Sequence, residues 1–138
     1  RNFENKTFDF SFKKRKIIIP AFLEDKKEKF LYDSGASGFE LLTNKEIWEK
    51  LKLKGSKITK EKGKSWDNIL TTFTAETNKT IDFQDNKISL HEITYVEGYS
   101  KAQLYLMKFS GMSGMLGNKI FLRKQLYIDG NRLKMSIE

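Results

Sequence analysis

The chain has 138 residues, with 26 Lys and Arg, 18 Asp and Glu, one His, one Pro and no Cys. This length fits one domain, expected over residues 1–138, and leaves too little chain for two independent cores. The absence of Cys excludes disulfides, Cys-ligated zinc, iron–sulfur clusters and thiol catalysis, and we expect no cofactor and no metal. No run of 18 apolar residues is present, which excludes a transmembrane helix. The 13% aromatic content argues against intrinsic disorder.

The net charge of +8 suggests nucleic acid or an anionic surface as a partner. The distribution of the basic residues argues against this interpretation, because only four of them are Arg, the residue that base recognition and bidentate phosphate contacts favour. The densest stretch, from Lys45 to Lys64, has eight Lys and three Glu. A solvated, Lys-rich surface is the favoured interpretation of the charge.

Strand patterns dominate the first part of the chain. Apolar and polar residues alternate over 7–12, which predicts a half-buried strand within an N-terminal extension of residues 1–15. The segment KIIIPAFL (16–23) predicts a buried strand in which Pro20 indicates an edge position or a bulge. After a polar turn, EKFLYD (28–33) predicts another strand, and the two strands pair most simply as a hairpin.

One segment predicts a helix, over residues 44–51. Thr43 is expected to cap it, with Glu46 three residues later completing a capping box. Ile47, Trp48 and the last helical residue then form one apolar face, so Trp48 is expected in the core.

The remainder of the chain again favours strands. Residues 56–68 are polar and Lys-rich, and strand-like arms around Ile58 and over 69–75 flank them, which predicts a long hairpin or a mobile loop. The other expected elements are strands at 80–83 and 87–96, a Gly-rich stretch at 111–117, a helical turn within 118–124, and strands at 126–128 and 132–137. The sequence therefore predicts an all-β fold with one or two short helices.

The stretch Asp33-Ser34-Gly35 carries the chemically informative pattern. A predicted β-strand ends in a carboxylate, followed by a hydroxyl and by a glycine that permits a tight turn. Taken alone, the tripeptide indicates an Asx/Gly turn that ends a strand, and it would occur by chance in about one in fifteen chains of this length.

The surroundings of this tripeptide resemble those in the retropepsin-like aspartic protease family. Members have a strand ending in D-[TS]-G-[AS], a flap hairpin, and a hydrophobic-hydrophobic-Gly strand that leads into a short helix. Here D-S-G-A-S follows a hydrophobic strand and precedes the predicted helix. The second motif of the family is matched later in the chain by Met115-Leu116-Gly117. The wider pattern, KFLYDSGASGFELLTNKEIWEKL with GMSGMLGNKIF and LYIDGNRLKMSI, is most similar to bacterial single-domain members. The resemblance covers residues 16–137 and implies a closed β-barrel or sandwich.

The resemblance implies a role for each matching residue. Asp33 would be the catalytic aspartate, and the hydroxyl of Ser34 would brace two active-site loops against each other. Gly35 would present its backbone N–H to the carboxylates. Met115-Leu116-Gly117 would pack beneath the active-site loop.

Substrate contacts are implied at two further places. Ala36 and Ser37 would line the site directly after the motif, and a flap around residues 60–66 would close on a peptide. Gly63 would lie near the flap tip, and Trp66 is the candidate to cover substrate side chains. The chain also departs from the family: many bacterial relatives carry Asp before the Gly of the second motif, where this chain has Ser113. That position is not the catalytic carboxylate, so the departure does not exclude activity.

Aspartic protease chemistry needs two carboxylates that share one proton and activate one water. Because the chain has a single D-[ST]-G, the second carboxylate must come from another copy in a C2 homodimer or from a second domain outside this sequence. We expect the homodimer, a peptide or protein substrate, and a bell-shaped rate profile on the acid side of neutral. The sequence begins at Arg1 without a signal, which favours a trimmed or mature product, and similar bacterial domains favour an extracytoplasmic (periplasmic or secreted) location.

Two alternatives remain open from the sequence. A non-catalytic peptide-binding or dimerisation module would use the same fold, and a basic nucleic-acid or anionic-surface binder would use the charge alone. His91, the single histidine, is expected to be a surface residue or a satisfied core residue. Asp82, Asp85 and Asp129 are expected in turns or at strand edges and not as metal ligands.

Overall fold

The computed structural model describes residues 7–13, 16–33, 38–65, 68–84, 86–98, 112–121, 126–129 and 131–137. Within these ranges the chain forms mainly β-strands, which confirms the predicted all-β class. The elements in chain order are β1 (Thr7–Asp9), β2 (Ser11–Lys13), β3 (Lys16–Leu23), β4 (Lys26–Asp33), β5 (Leu41–Thr43), α1 (Lys45–Leu51), β6 (Thr59–Ser65), β7 (Asn68–Glu76), β8 (Thr80–Phe83), β9 (Asn86–Ser89), β10 (Glu92–Glu97), β11 (Gly114–Gly117), a 3-10 turn (Asn118–Phe121), β12 (Leu126–Asp129) and β13 (Lys134–Ile137). In the part of the chain so described, no helix is long and apolar enough to cross a membrane.

The strands form two sheets. The larger has the order β6-β7-β10-β5-β11-β4-β3-β8-β9, with β2 also paired to β3, and the smaller has the order β1-β13-β12. Two pairs in the larger sheet are parallel, β4 with β11 and β5 with β10. Parallel partners need a long connection, so these pairs bring distant segments of the chain together at the centre of the sheet.

The predicted hairpin of β3 and β4 is confirmed. Glu24 and Asp25 form its two-residue turn with φ values of 52° and 64°, the left-handed conformation that suits a tight hairpin. On the edge of β3 away from β4, β2 ends its pairing at Ile18 and β8 begins its pairing at Phe22. Pro20, which has no N–H to donate, lies in the gap between them, so the local edge position predicted for it is correct.

The strand predicted over 7–12 is instead two strands that belong to different sheets. β1 pairs with β13, whereas β2 pairs with β3. Phe10 separates them: it is buried, and its backbone N–H donates to the carbonyl of Leu133 at 3.1 Å. The apolar alternation continues through the break because Phe10 packs into the core while the backbone changes partner.

The strand predicted over 87–96 is likewise divided, into β9 and β10. At the break, the N–H of Leu90 donates to the carbonyl of Lys79 at 2.8 Å. The N–H of His91 donates to the Glu40 carboxylate at 2.9 Å. The backbone therefore leaves the ladder for two residues, although the apolar pattern does not change.

The predicted helix is present as α1, but its cap differs from the expectation. The side chain of Asn44 accepts a hydrogen bond from the N–H of Ile47 at 2.8 Å and is the N-cap. The capping box predicted from Thr43 is wrong, because Thr43 ends β5 and its hydroxyl donates to the carbonyl of Ser113 at 2.7 Å.

The Asn44→Ala variant is expected to lower the free energy of unfolding by about 1 kcal/mol, because the helix loses its N-terminal acceptor. Urea unfolding of the purified protein measures this loss. The Asn44→Ser variant keeps a capping oxygen and should recover most of the stability. Equal losses in both variants would contradict the assignment of the cap.

The helix packs on an aromatic row that crosses β10 and β7. The rings of Trp48 and Tyr95 have centroids 4.6 Å apart, and those of Tyr95 and Phe73 are stacked at 4.7 Å. Trp48 is buried, as predicted, and its Nε1 donates to the carbonyl of Ile93 at 2.9 Å. Lys60 of β6 continues the row, with its Nζ 5.5 Å from the Phe73 ring centroid.

Of the two alternatives for residues 56–68, the structure shows the long hairpin. β6 and β7 pair antiparallel in register from Thr59 with Thr74 to Ser65 with Asn68. The connection at 66–67 lies outside the described residues. β6 is the outer strand of the larger sheet and pairs only with β7 in the described sheet order.

Candidate active site

Asp33 lies at the end of β4, where the strand pattern directs it away from the core. Phe30 and Tyr32 are buried, whereas Leu31 is half-buried and Asp33 is exposed. Because side chains alternate along a strand, two large aromatic residues hold β4 in the core and place the Asp33 carboxylate on the opposite face.

The second sequence motif lies beside the first. β11 runs parallel to β4, with Gly117 in register with Asp33 and Met115 in register with Leu31. Leu116 and Gly117 are buried, Met115 is half-buried, and the N–H of Gly117 donates to the carbonyl of Glu40 at 3.1 Å. The structure thus brings together the ends of two motifs that are far apart in the sequence.

Gly114, the first residue of β11, lies close against the backbone of β5. A Cβ at this position would stand 2.5 Å from the carbonyl oxygen of Leu42 and 3.2 Å from Cδ1 of Leu41. β11 therefore needs glycine here to pair with β5 and β4 at once.

Five of the predicted site residues lie outside the described part of the chain: Ser34, Gly35, Ala36, Ser37 and Trp66. Their roles stay predictions. Gly63 is described, exposed, and lies on β6 in register with Leu70, three pairs from the hairpin connection.

The fold of the chain is similar to that of a solved structure. A retropepsin-like aspartic protease from Rickettsia conorii superposes with a TM-score of 0.53 at 17% sequence identity, over 95% of this chain and 89% of that one. The chain has a retropepsin-like fold. No protein-family model matches the sequence, and no curated protein matches it. The predicted fold is confirmed, and the part of the chain that the structure describes holds one α-helix and one 3-10 turn, in agreement with the one or two short helices predicted.

Within the retropepsin-like fold, Tyr32 and Asn118 link the two motif strands. They directly precede Asp33 and directly follow Gly117, and the Tyr32 hydroxyl donates to Oδ1 of Asn118. The Tyr32 ring also contacts Phe121 edge-on, with centroids 5.6 Å apart. Sequence analysis missed this pair; its only signal is the position of both residues next to the motifs.

Burial, and to a lesser degree the negative charge of Asp33, raises the pKa of the Tyr32 hydroxyl above its usual value of 10.0. A raised folded-state pKa stabilises the protein fully below pH 10 and loses this effect as the pH rises through the raised value. We therefore expect the free energy of unfolding to fall above pH 10, and to fall less in the Tyr32→Phe variant. Urea unfolding at a series of alkaline pH values, with tyrosinate absorbance as a parallel signal, measures the difference.

The Tyr95→Phe variant serves as a comparison, because burial and Glu97 raise the pKa of Tyr95 in the same direction. Tyr95 lies in the aromatic row and not beside Asp33. If the free energy of unfolding falls with pH as steeply in Tyr32→Phe as in the wild type above pH 10, Tyr32 has the same pKa in the folded and unfolded states and the prediction is wrong.

Ser113, the position that departs from the family pattern, is hydrogen-bonded to two strands, β4 and β5. Its N–H donates to the carbonyl of Lys29 at 2.8 Å, its hydroxyl donates to Oε2 of Glu28, and its carbonyl accepts from Thr43. Ser113 has no carboxylate of its own, but Glu28 places one beside it. These bonds fix the start of β11 between β4 and β5.

His91 is a surface residue, in agreement with the prediction. Its side chain is 81% exposed, and its Nδ1 lies 3.4 Å from Oε2 of the buried Glu40. Asp82 lies in β8 and Asp129 in β12, while Asp85 is outside the described residues. Among the side chains that the structure describes, no group of three or more His, Cys, Asp or Glu is arranged to hold a metal ion.

Proposed function

We propose that this protein is an aspartic endopeptidase whose catalytic dyad is Asp33 from two copies of the chain. The observation that carries the proposal is the register of Asp33 with Gly117 in a retropepsin-like fold. This pairing sets an exposed carboxylate at the end of a buried strand, next to the second motif that the family resemblance assigns to the same site.

The proposed chemistry is hydrolysis of a peptide bond by a water held between two carboxyl groups. The ionised carboxylate takes a proton from the water while the oxygen of the water bonds to the carbonyl carbon. The protonated carboxyl gives its proton to the carbonyl oxygen. The carboxyl that took the proton of the water then gives it to the nitrogen as the C–N bond breaks, while the other carboxylate takes a proton from one hydroxyl of the tetrahedral intermediate as the C=O bond re-forms. The products are a carboxylic acid and an amine, and the dyad regains its single shared proton.

The need for a second copy follows from the count of carboxylates. Each chain has one D-[ST]-G, so one copy supplies only half of the dyad. A C2 axis beside Asp33 would bring the same residue of the partner to the opposite side of the water.

The other predicted site residues take defined places in this proposal. Ser34 and Gly35 would support the carboxylates, and Ala36 and Ser37 would contact the peptide. The hairpin of β6 and β7 would be the flap, with Trp66 in its connection. Its described strands are exposed along much of β6, as a segment that closes on a ligand would require.

Cleavage of a mixed peptide pool between about pH 3.5 and 7 tests the proposal, with the Asp33→Asn variant as the matched control. We expect cuts in the wild type with a bell-shaped dependence on pH, and none in the variant. No cuts from a sample shown to be dimeric would favour the non-catalytic peptide-binding module. A strictly monomeric full-length protein at micromolar concentration would contradict the shared dyad.

A further inference from the structure

The hairpin of β6 and β7 has a hollow on its surface that the proposed chemistry does not use. It has a volume of about 230 Å³ and is lined by Glu61, Lys62, Gly63, Leu70 and Thr72. Gly63 and Leu70 are register partners, and no heavy atom beyond the neighbouring residues lies within 4 Å of a Cβ built on Gly63. The missing side chain leaves the half-buried Leu70 as an apolar floor.

Charges are separated between the two faces of this hairpin. Lys60 extends over the Phe73 ring and so belongs to the face that carries the aromatic row. Because side chains alternate along a strand, Glu61 lies on the opposite face, where it pairs with Thr72. Lys62 pairs with Thr71, so its Cβ lies on the face of Lys60, although Lys62 also lines the hollow.

The face with the hollow is also the face with Asp33. Residues paired across neighbouring strands share a face of the sheet, and a series of pairs leads from the motif to the hairpin. The pairs are Asp33 with Gly117, Leu31 with Met115, Met115 with Leu42, Leu42 with Thr94, Thr94 with Thr74, and Thr72 with Glu61. The hydroxyls of Thr74 and Thr94, 2.8 Å apart, confirm that this series stays on one face.

We propose that this hollow is a substrate subsite that selects a basic side chain, Lys or Arg. This inference rests on the proposed function, because it takes the Asp33 face as the face along which a peptide lies. Five strand spacings separate β4 from β6, at most about 24 Å along the sheet.

The lining of the hollow has an apolar part and an acidic part, which suit the aliphatic stem and the cationic head of a Lys or Arg side chain. Its aliphatic stem packs on Leu70 in the space above Gly63, and its cationic head reaches the exposed Glu61 carboxylate at the rim. An acidic side chain would meet Glu61 with like charge, and a neutral aliphatic one would gain only the apolar contact. Since the ion pair is exposed to solvent, the expected preference is moderate, about fivefold for Lys over norleucine.

Binding to the uncleaving Asp33→Asn protein tests the inference separately from catalysis. The probes are fluorescent peptides of about ten residues, long enough to cross the five strand spacings, in which each position in turn is fixed as Lys, norleucine or Glu. We expect one position at which Lys binds about fivefold more tightly than norleucine, with Glu the weakest. The same position should dominate the cuts made by the wild type.

Three variants locate the preference. Glu61→Gln should remove the advantage of Lys over norleucine. Gly63→Val should weaken the binding of both the Lys and the norleucine peptide, because the valine side chain fills the hollow. Lys60→Gln, a change of charge of the same size and the opposite sign on the other face, should leave the ratio unaltered. Circular dichroism confirms that each variant is folded.

The outcomes separate this inference from the proposed function. No positional preference, or a preference for Glu, overturns the subsite even where the wild type cuts peptides. A preference for Lys that depends on Glu61, in a protein that cuts nothing, supports the subsite and contradicts the protease. If the preference for Lys over norleucine is unchanged in Glu61→Gln, the inference is also overturned, because the charge that selects Lys then lies elsewhere.

Discussion

Replacing Asp33 with Asn is expected to reduce peptide cleavage by at least about 10³-fold, because the amide can neither take a proton from water nor share one with its partner. The fold should survive, since the side chain is exposed and the strand is held by its buried neighbours and by backbone pairing with Gly117. Turnover of a peptide cut by the wild type measures the loss, and urea unfolding shows whether stability is retained.

Mixing the two proteins tests whether the dyad is shared between copies. A ninefold excess of Asp33→Asn protein should reduce the activity of a fixed amount of wild type to about one-tenth, because random pairing leaves about one wild-type subunit in ten with a wild-type partner. A mixture that keeps the full activity, in subunits shown to exchange, would place both carboxylates on one chain. An excess of unrelated protein controls for crowding and adsorption.

Gly114→Ala is expected to lower the free energy of unfolding by about 2–4 kcal/mol. The added methyl group would stand 2.5 Å from the backbone oxygen of Leu42, an atom that no side-chain rotation can move away. β11 would have to separate from β5, and the register that sets Gly117 beside Asp33 would be disturbed. Cleavage should therefore decrease together with stability, as measured by peptide turnover and urea unfolding.

Gly63→Ala is the matched control for this change. Gly63 also lies within a strand, but the space for a Cβ is open there. Gly63→Ala should therefore raise the free energy of unfolding by about 0.5 kcal/mol, because alanine lowers the entropy of the unfolded chain. Equal effects of the two substitutions on unfolding would show that the close approach at Gly114 does not determine stability.

The sequence predicted those elements whose partners are close in the chain. The hairpin of β3 and β4 was predictable because a short polar turn separates KIIIPAFL from EKFLYD and each segment has a strand pattern. Trp48 was placed correctly because its helix shows one apolar face. In both cases the local pattern and the tertiary contacts agree.

The errors occur where a distant residue decides between local options. Thr43 and Asn44 are both good capping residues, and the carbonyl of Ser113, 70 positions away, binds the first of them and leaves the second to cap. The breaks at Phe10 and at Leu90 were not visible because periodicity records burial and not the identity of the hydrogen-bond partner.

The candidate site was predictable only as two separate motifs. The strand ending at Asp33 is visible in the sequence, and the resemblance to a family supplied the second motif. The hydrogen bond between Tyr32 and Asn118 depends on the parallel register of β4 and β11, which no local pattern encodes. The subsite at Gly63 and Glu61 likewise requires knowing which residues of the hairpin share a face.

The parallel pairing of β4 with β11 also bears on how the chain reaches this state. Tyr32 and Asn118 are 86 positions apart, so the loop between them must close before their contact forms, whereas the hairpins assemble from neighbouring segments. We therefore expect the neighbourhood of Asp33 to be completed later in folding than the hairpins. A chain with its hairpins formed but this pair still open has no finished site, so the proposed activity would depend on the slowest contacts of folding.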